Sequence, residues 1–140
     1  MSRAGTVSDP GLRLPDPGPS RGHAFGGATG QSMNGIIVQR YGPVQHIELD
    51  APPVNALTLA LYAALTEIFQ ELSSRDDVHC VVLGARGSKA FCAGLDLHEF
   101  LATPVEEDHK RQEIGLATFR ALQDCPIPVI ASVNGPALGA

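Results

Sequence analysis

The chain has 140 residues and a formal net charge of −5; 44% of its residues are apolar and 18% are charged. This length suits one domain with one core, and the negative charge disfavours nonspecific binding to nucleic acid. No window approaches the roughly 18 to 20 apolar residues of a membrane-spanning helix, so we expect no membrane insertion.

Residues 1–32 are rich in Gly and Pro and have almost no periodic apolar residues. Such a stretch cannot bury enough surface to offset the entropy of ordering it, so we expect a disordered tail. It has no apolar region of the secretory type, and its prolines interrupt the amphipathic helix of a transit peptide. An over-extended start is the alternative, because Met33 directly precedes the first structured segment. The folded domain is predicted over residues 33–140.

Two short strands are predicted around a turn. Ile36–Tyr41 and Val44–Asp50 flank Gly42-Pro43, which favours a β-hairpin. In the second strand, the alternation of side chains directs Ile47 and Leu49 toward a core.

A helix follows, with Thr58 as its N-cap and its end near Ser74. Its predicted buried face repeats at helical spacing and consists of Leu61, Leu65, Ile68 and Leu72. The next apolar run, Cys80–Leu83, is typical of a buried strand.

The second half continues the alternation of strands and helices. We predict a helix over Val105–Leu122, a strand over Val129–Val133 and the opening of a further helix at Ala137–Ala140. Strands that alternate with helices favour an α/β architecture with crossover connections.

The segment from Lys89 to Phe100 is the first that could carry chemistry. Asp96 and Glu99 have the spacing of a capping box, which predicts a helix start at Asp96, with Gly94 allowing a close backbone approach. Backbone N–H groups at such a start are unpaired, so they could stabilise an oxyanion or bind phosphate. Taken alone, the segment is better explained as a capped helix after a loop.

The segment Val129–Ala140 has the same character. An apolar strand leads through Asn134-Gly135-Pro136 into a run of small residues. If both segments converge, each contributes one N–H donor to the same carbonyl oxygen, which would stabilise an enolate or a tetrahedral oxyanion.

Three motifs in order carry a family resemblance. Phe91–Leu97 (FCAGLDL), Pro128–Ala140 (PVIASVNGPALGA) and Pro53–Leu57 (PVNAL) resemble segments of the crotonase, or enoyl-CoA hydratase/isomerase, superfamily. The resemblance implies an α/β, crotonase-like (ClpP/crotonase) fold of repeated ββα units, of which residues 33–140 would be the N-terminal part.

The resemblance also implies roles for individual residues. The backbone N–H groups of Leu95 and Ala140 would form the oxyanion hole of a thioester site. Asp96 would act mainly as a helix cap, and Cys92 as a small filler. The residues implied in substrate binding are Val54, Ala56, Ala93, Leu95, Asp96, Leu97, His98 and Ala140. Arg86 and Lys89 could approach CoA phosphates, or be solvated loop charges.

The implied ligand is an acyl-CoA thioester, with coenzyme A entering as part of the substrate and with neither a metal nor a separate cofactor. Full-length relatives would be homotrimers or hexamers. Cys80, Cys92 and Cys125 form no CxxC pair, which favours reduced thiols and a cytoplasmic location.

The glutamates that move protons in hydratases would follow Ala140, so the sequence as given is expected to be inactive as a lyase or isomerase. Three alternatives remain open: a non-catalytic acyl-CoA binder or subunit, an incomplete fragment of a longer enzyme, and a chain that does not fold stably by itself.

Overall fold

The computed structural model describes residues 31–139, which form one five-stranded mixed sheet with helices. The order along the chain is β1 Gln31–Met33, β2 Ile36–Tyr41, β3 Val44–Leu49, α1 Leu59–Leu72, β4 Cys80–Ala85, α2 Leu97–Ala102, α3 Asp108–Gln123 and β5 Val129–Ala131. A short 3₁₀ turn, Val105–Glu107, precedes α3.

Neighbours in the sheet follow the chain order, from β1 to β5. The first two pairings are antiparallel, and β3–β4 and β4–β5 are parallel. Parallel neighbours need a crossover, which α1 provides for the first pair, and α2 with α3 for the second. The predicted hairpin is confirmed, with Tyr41 opposite Val44 across the turn at Gly42-Pro43.

The core lies between the sheet and α1. Helix α1 begins as predicted, because the Thr58 side chain accepts a hydrogen bond from the Leu61 N–H at 3.2 Å. The four residues of its predicted face are all buried, and so are Ile47 and Leu49 from β3. Phe69 and Ile36 are fully excluded from solvent at the centre of this cluster.

Several sequence-based boundaries are corrected. Gln31 and Ser32, assigned to the tail, belong to β1, because their backbones pair with β2. The tail prediction for residues 1–30 lies outside the described residues. The helix predicted from Val105 is broken into the 3₁₀ turn and α3, and the last strand ends at Ala131 instead of Val133.

The end of the described chain also differs from expectation. Residues 137–139 are not helical, because Ala137 pairs with Cys92 in an isolated parallel bridge and Gly139 adopts a positive φ of 69°. Ile130 in β5 and Val133 after it are 55% and 56% exposed. Among the described strands, β5 pairs with one neighbour, β4. None of the helices in residues 31–139 combines the length and the apolarity needed to cross a membrane.

Candidate functional site

Two segments that are distant in sequence run side by side at the candidate site. The Ala93 N–H donates to the Val54 carbonyl at 3.1 Å, and the Leu57 N–H donates to the Gly94 carbonyl at 2.7 Å. The Asp96 N–H returns to the Leu57 carbonyl at 3.0 Å, which closes a parallel bridge between Leu57 and Leu95. The sequence motifs at 53–57 and 91–97 are therefore brought together by backbone hydrogen bonds.

The Leu95 N–H lies in the middle of this track. Its neighbours are paired: the Gly94 N–H approaches the Cys92 Sγ at 3.4 Å, and the Asp96 N–H is bonded to Leu57. The Leu95 N–H donates no hydrogen bond to any other of residues 31–139. Leu95 as a residue is half-buried, and backbone N–H groups left without a protein acceptor are candidates for binding a ligand.

The third motif reaches the same place. The Phe91 N–H donates to the Pro136 carbonyl at 2.9 Å, and the Leu138 N–H donates to the Cys92 carbonyl at 2.9 Å. Gly94 has a positive φ of 84°, and a Cβ atom there would lie 2.8 Å from the Leu138 carbonyl oxygen. Only glycine fits this approach. The predicted tight approach at Gly94 is confirmed, and its partner is the segment ending in Gly139.

The predicted binding residues differ in exposure. Val54, Ala56, Ala93, Leu95 and Asp96 are half-buried along the paired segments, whereas Leu97 is 67% exposed and His98 is also exposed on the short helix α2. Ala140 lies outside the described residues. The structure thus brings together the five predicted residues of the paired segments, whereas the two predicted residues of α2 are exposed to solvent.

One of the two hydrogen bonds of the predicted capping box is present. Asp96 Oδ1 accepts from the Glu99 N–H at 2.9 Å, so Asp96 is the N-cap of α2. The reciprocal bond is absent, because the Asp96 N–H is already used by Leu57. Glu99 Oε2 accepts instead from the Leu59 N–H at 2.7 Å, at the start of α1. The prediction that the Glu99 side chain caps its own helix is therefore wrong, because it caps α1 instead.

Asn55 holds the loop before α1. The family resemblance places it beside Val54 and Ala56 along the cleft, but the sequence did not indicate this structural role. It is 2% exposed and has a positive φ of 54°. Its Oδ1 accepts from the Ala51 N–H at 2.9 Å, and its Nδ2 donates to the carbonyls of Arg86 and Ala90 at 2.9 and 3.0 Å. Asn is one of the few non-glycine residues that tolerate this backbone conformation, which is the sequence signal that could have found it.

Asn134 plays a similar part from the other side. Its Nδ2 donates to the Ala85 and Gly87 carbonyls at 2.8 and 3.1 Å. The loop that leads into the 91–97 segment is thus held by two asparagine amides, one from each flanking motif.

Few reactive or ionisable side chains near the site are both exposed and without a partner among the described residues. The Cys92 thiol is 3% exposed, which fits the predicted filler. The pKa of the Tyr62 phenol is raised above its usual range, mainly because the phenol is buried. The nearby Cys92 adds to this rise. Arg86 pairs with Glu48 at 3.3 Å, while Lys89 is exposed. Residues 31–139 contain no group of three or more His, Cys, Asp or Glu side chains arranged to bind a metal.

The sequence of residues 39–140 matches the family profile described as enoyl-CoA hydratase/isomerase. The chain is 38% identical over 104 residues to the enoyl-CoA hydratase AKT6-1 of Alternaria alternata, covering 74% of this chain and 33% of that protein. It is 32% identical over 108 residues to the short-chain-enoyl-CoA hydratase of Clostridium acetobutylicum, covering 76% of this chain and 41% of that protein.

Solved structures give the same result. An enoyl-CoA hydratase/carnithine racemase from Magnetospirillum magneticum superposes with a TM-score of 0.72 at 34% identity, covering 79% of this chain and 42% of that one. The enoyl-CoA hydratase of Mycobacterium smegmatis superposes with a TM-score of 0.67 at 40% identity, covering 71% and 39%. The chain spans about a third to two fifths of the length of these relatives. Its fold is the corresponding part of the crotonase fold, and the chain belongs to the enoyl-CoA hydratase/isomerase family.

Proposed function

We propose that the chain binds an acyl-CoA thioester and polarises its carbonyl oxygen through the Leu95 N–H. The observation that carries this proposal is that the Leu95 N–H donates no hydrogen bond within residues 31–139, whereas the N–H groups of both neighbours are paired. A fixed backbone donor aimed at an oxygen that gains negative charge lowers the energy of an enolate, because it needs no reorganisation as the charge develops.

The second donor in this proposal is the Ala140 N–H. Two observations support it: the family resemblance, and the contact of the segment ending in Gly139 with the backbone of Gly94. A carbonyl oxygen that lies between two N–H donors is held in direction as well as polarised. Val54, Ala56 and Ala93 would line the acyl side of the cleft with small groups, and Leu97 and His98 would lie at its exposed margin.

A substitution at Leu95 tests the donor. Leu95→Pro removes the N–H and breaks no hydrogen bond among residues 31–139, whereas Leu95→Ala keeps the N–H and shortens the side chain. We expect Leu95→Pro to bind butyryl-CoA about tenfold more weakly by calorimetry, the value of one lost hydrogen bond. The thioester carbonyl stretch of the bound ligand should lie near its value in water.

Leu95→Ala is the matched control and should keep the lowered carbonyl frequency. Circular dichroism must show the same fold for both variants. Equal affinity and equal carbonyl frequency in Leu95→Pro and wild type would exclude Leu95 as the donor.

Proton transfer needs groups that the described residues do not offer at this position. The two nearby carboxylates, Asp96 and Glu99, both accept backbone hydrogen bonds at helix starts. We therefore propose that residues 31–139 supply the thioester site and no general acid or base. This favours, as a second candidate function, an acyl-CoA binder or a subunit that acts beside groups from elsewhere.

Crotonyl-CoA hydration tests whether the chain supplies a general acid or base of its own. The 140-residue chain should bind the thioester and leave the enoyl absorbance unchanged over hours. Turnover near the rate of a full-length relative would contradict the assignment of both carboxylates to capping.

A further inference from the structure

Two helices begin side by side at the candidate site. Leu57 is followed by the N-cap Thr58 of α1, and Leu95 is followed by the N-cap Asp96 of α2. The Leu57–Leu95 bridge therefore joins the residues that directly precede both caps. Anything that fixes the starts of the two helices relative to each other also fixes the Leu95 N–H.

Glu99 makes such a connection. Its backbone N–H is held by Asp96 Oδ1 at 2.9 Å within α2, and its Oε2 accepts from the Leu59 N–H of α1 at 2.7 Å. The residues joined by the second bond are 40 positions apart in sequence. A carboxylate accepting a backbone N–H forms a charge-assisted hydrogen bond, which is shorter and stronger than a neutral one.

The Leu59 N–H is one of the groups that a helix leaves unpaired at its start. The Thr58 side chain satisfies the Leu61 N–H and leaves Leu59 for another acceptor. Glu99 supplies that acceptor across the gap between the helices. The negative charge lies near the N-terminal ends of both helices, where it is favoured.

We infer that Glu99 is a positioning residue, whose carboxylate clamps α2 to the start of α1 and so holds the Leu95 N–H in its place beside the 54–57 segment. Glu99 acts through Leu95 and not on the thioester itself. The inference rests on the proposed function of Leu95, and the Glu99–Leu59 bond can be measured without any ligand.

Amide hydrogen exchange of the 140-residue chain, followed by NMR, tests the clamp first. In Glu99→Ala the Leu59 amide should exchange roughly 10- to 100-fold faster, as expected for a lost hydrogen bond to a charged acceptor. The Leu95 cross-peak should shift and broaden, while the Leu61 amide, which is capped by Thr58, should keep its exchange rate. Glu99→Gln should restore both signals, because the amide oxygen can accept the same bond.

Two further variants complete the set. Glu99→Asp keeps the charge but is one methylene too short, so it should behave like Glu99→Ala and decides the matter if the alanine variant does not fold. Glu106→Ala is the control: Glu106 is exposed, and its carboxylate accepts no hydrogen bond from residues 31–139. This variant should match wild type in amide exchange and in the Leu95 cross-peak.

The infrared carbonyl frequency of bound butyryl-CoA gives the functional readout. In Glu99→Ala and Glu99→Asp it should move back toward the value in water, and in Glu99→Gln it should stay lowered. A faster Leu59 exchange with an unchanged Leu95 cross-peak and carbonyl frequency would reduce Glu99 to a helix cap and overturn the inference. Unchanged Leu59 exchange would also overturn it. If wild type itself shows no carbonyl shift, the proposed function fails, and the Leu95 cross-peak alone decides the inference.

Discussion

Helices α1 and α3 are similar in length and pack along each other, yet they are held in different ways. Helix α1 buries half of its residues against the sheet: Leu61, Tyr62, Ala64, Leu65, Ile68, Phe69 and Leu72. Helix α3 buries only Thr118, with Ile114, Ala121 and Leu122 partly covered. Helix α1 is therefore fixed by apolar burial between the sheet and α3, whereas α3 touches the rest of the described chain along one side.

Polar and aromatic contacts join the two helices. The Thr118 hydroxyl donates to the Tyr62 carbonyl at 2.9 Å and lies 2.8 Å from the Thr66 hydroxyl. The aromatic rings of Tyr62 and Phe119 meet edge to face, with centroids 6.4 Å apart. Hydrogen bonds and ring edges give direction, while apolar area gives most of the free energy of folding. We therefore expect α1 to contribute more to the free energy of folding, and the contacts of α3 mainly to fix its direction along α1.

Two phenylalanines, one on each helix, test this contrast with the largest expected effect. Phe69→Ala opens a cavity at a fully buried position and should lower the free energy of unfolding by about 3 to 5 kcal/mol. Phe119→Ala removes a ring that is 40% exposed and should cost about 1 kcal/mol. Urea denaturation followed by circular dichroism measures both. Similar losses would break the distinction between the helices.

The polar contact gives an intermediate effect. Thr118→Val removes the hydroxyl from a buried site and leaves the shape almost unchanged, so it should cost about 1 to 2 kcal/mol of stability. Thr118→Ser keeps the hydroxyl and is the matched control, expected to lose less. Equal stability of Thr118→Val and wild type in urea would show that α3 does not depend on this bond.

The smallest effect should have the opposite sign. Gly115 lies inside α3, and a Cβ atom there would meet nothing within 4 Å. Gly115→Ala should therefore raise the free energy of unfolding by about 0.5 to 1 kcal/mol, because alanine loses less backbone freedom in a helix. A lower thermal midpoint in Gly115→Ala would mean that α3 needs flexibility at this point.

Gly94 is the contrasting glycine. In Gly94→Ala the added atom would lie 2.8 Å from a carbonyl oxygen, so this substitution should lower the thermal midpoint.

Most of the strands and helices, and the family, could be predicted from local patterns in the sequence. Alternation in β3 and the helical repeat in α1 report which side chains face the core, because each element must bury one face to be stable. The cap at Asp96 and a close backbone approach at Gly94 could also be predicted from the sequence, but the partner of Gly94 could not, because Leu138 lies far away along the chain. The three motifs in order pointed to the family that the comparisons show.

Contacts between groups that are distant in sequence became visible only in the folded structure. Within the part of the chain that the structure describes, the Leu95 N–H has no acceptor, because the Leu57 carbonyl accepts from the neighbouring Asp96 N–H instead. That pairing joins segments far apart in sequence. The same pairing displaced Glu99 from its predicted local partner to Leu59, and placed Asn55 between three carbonyl and amide groups of two loops. Local spacing cannot report such bonds, because a polar side chain takes the partner that folding leaves unpaired near it.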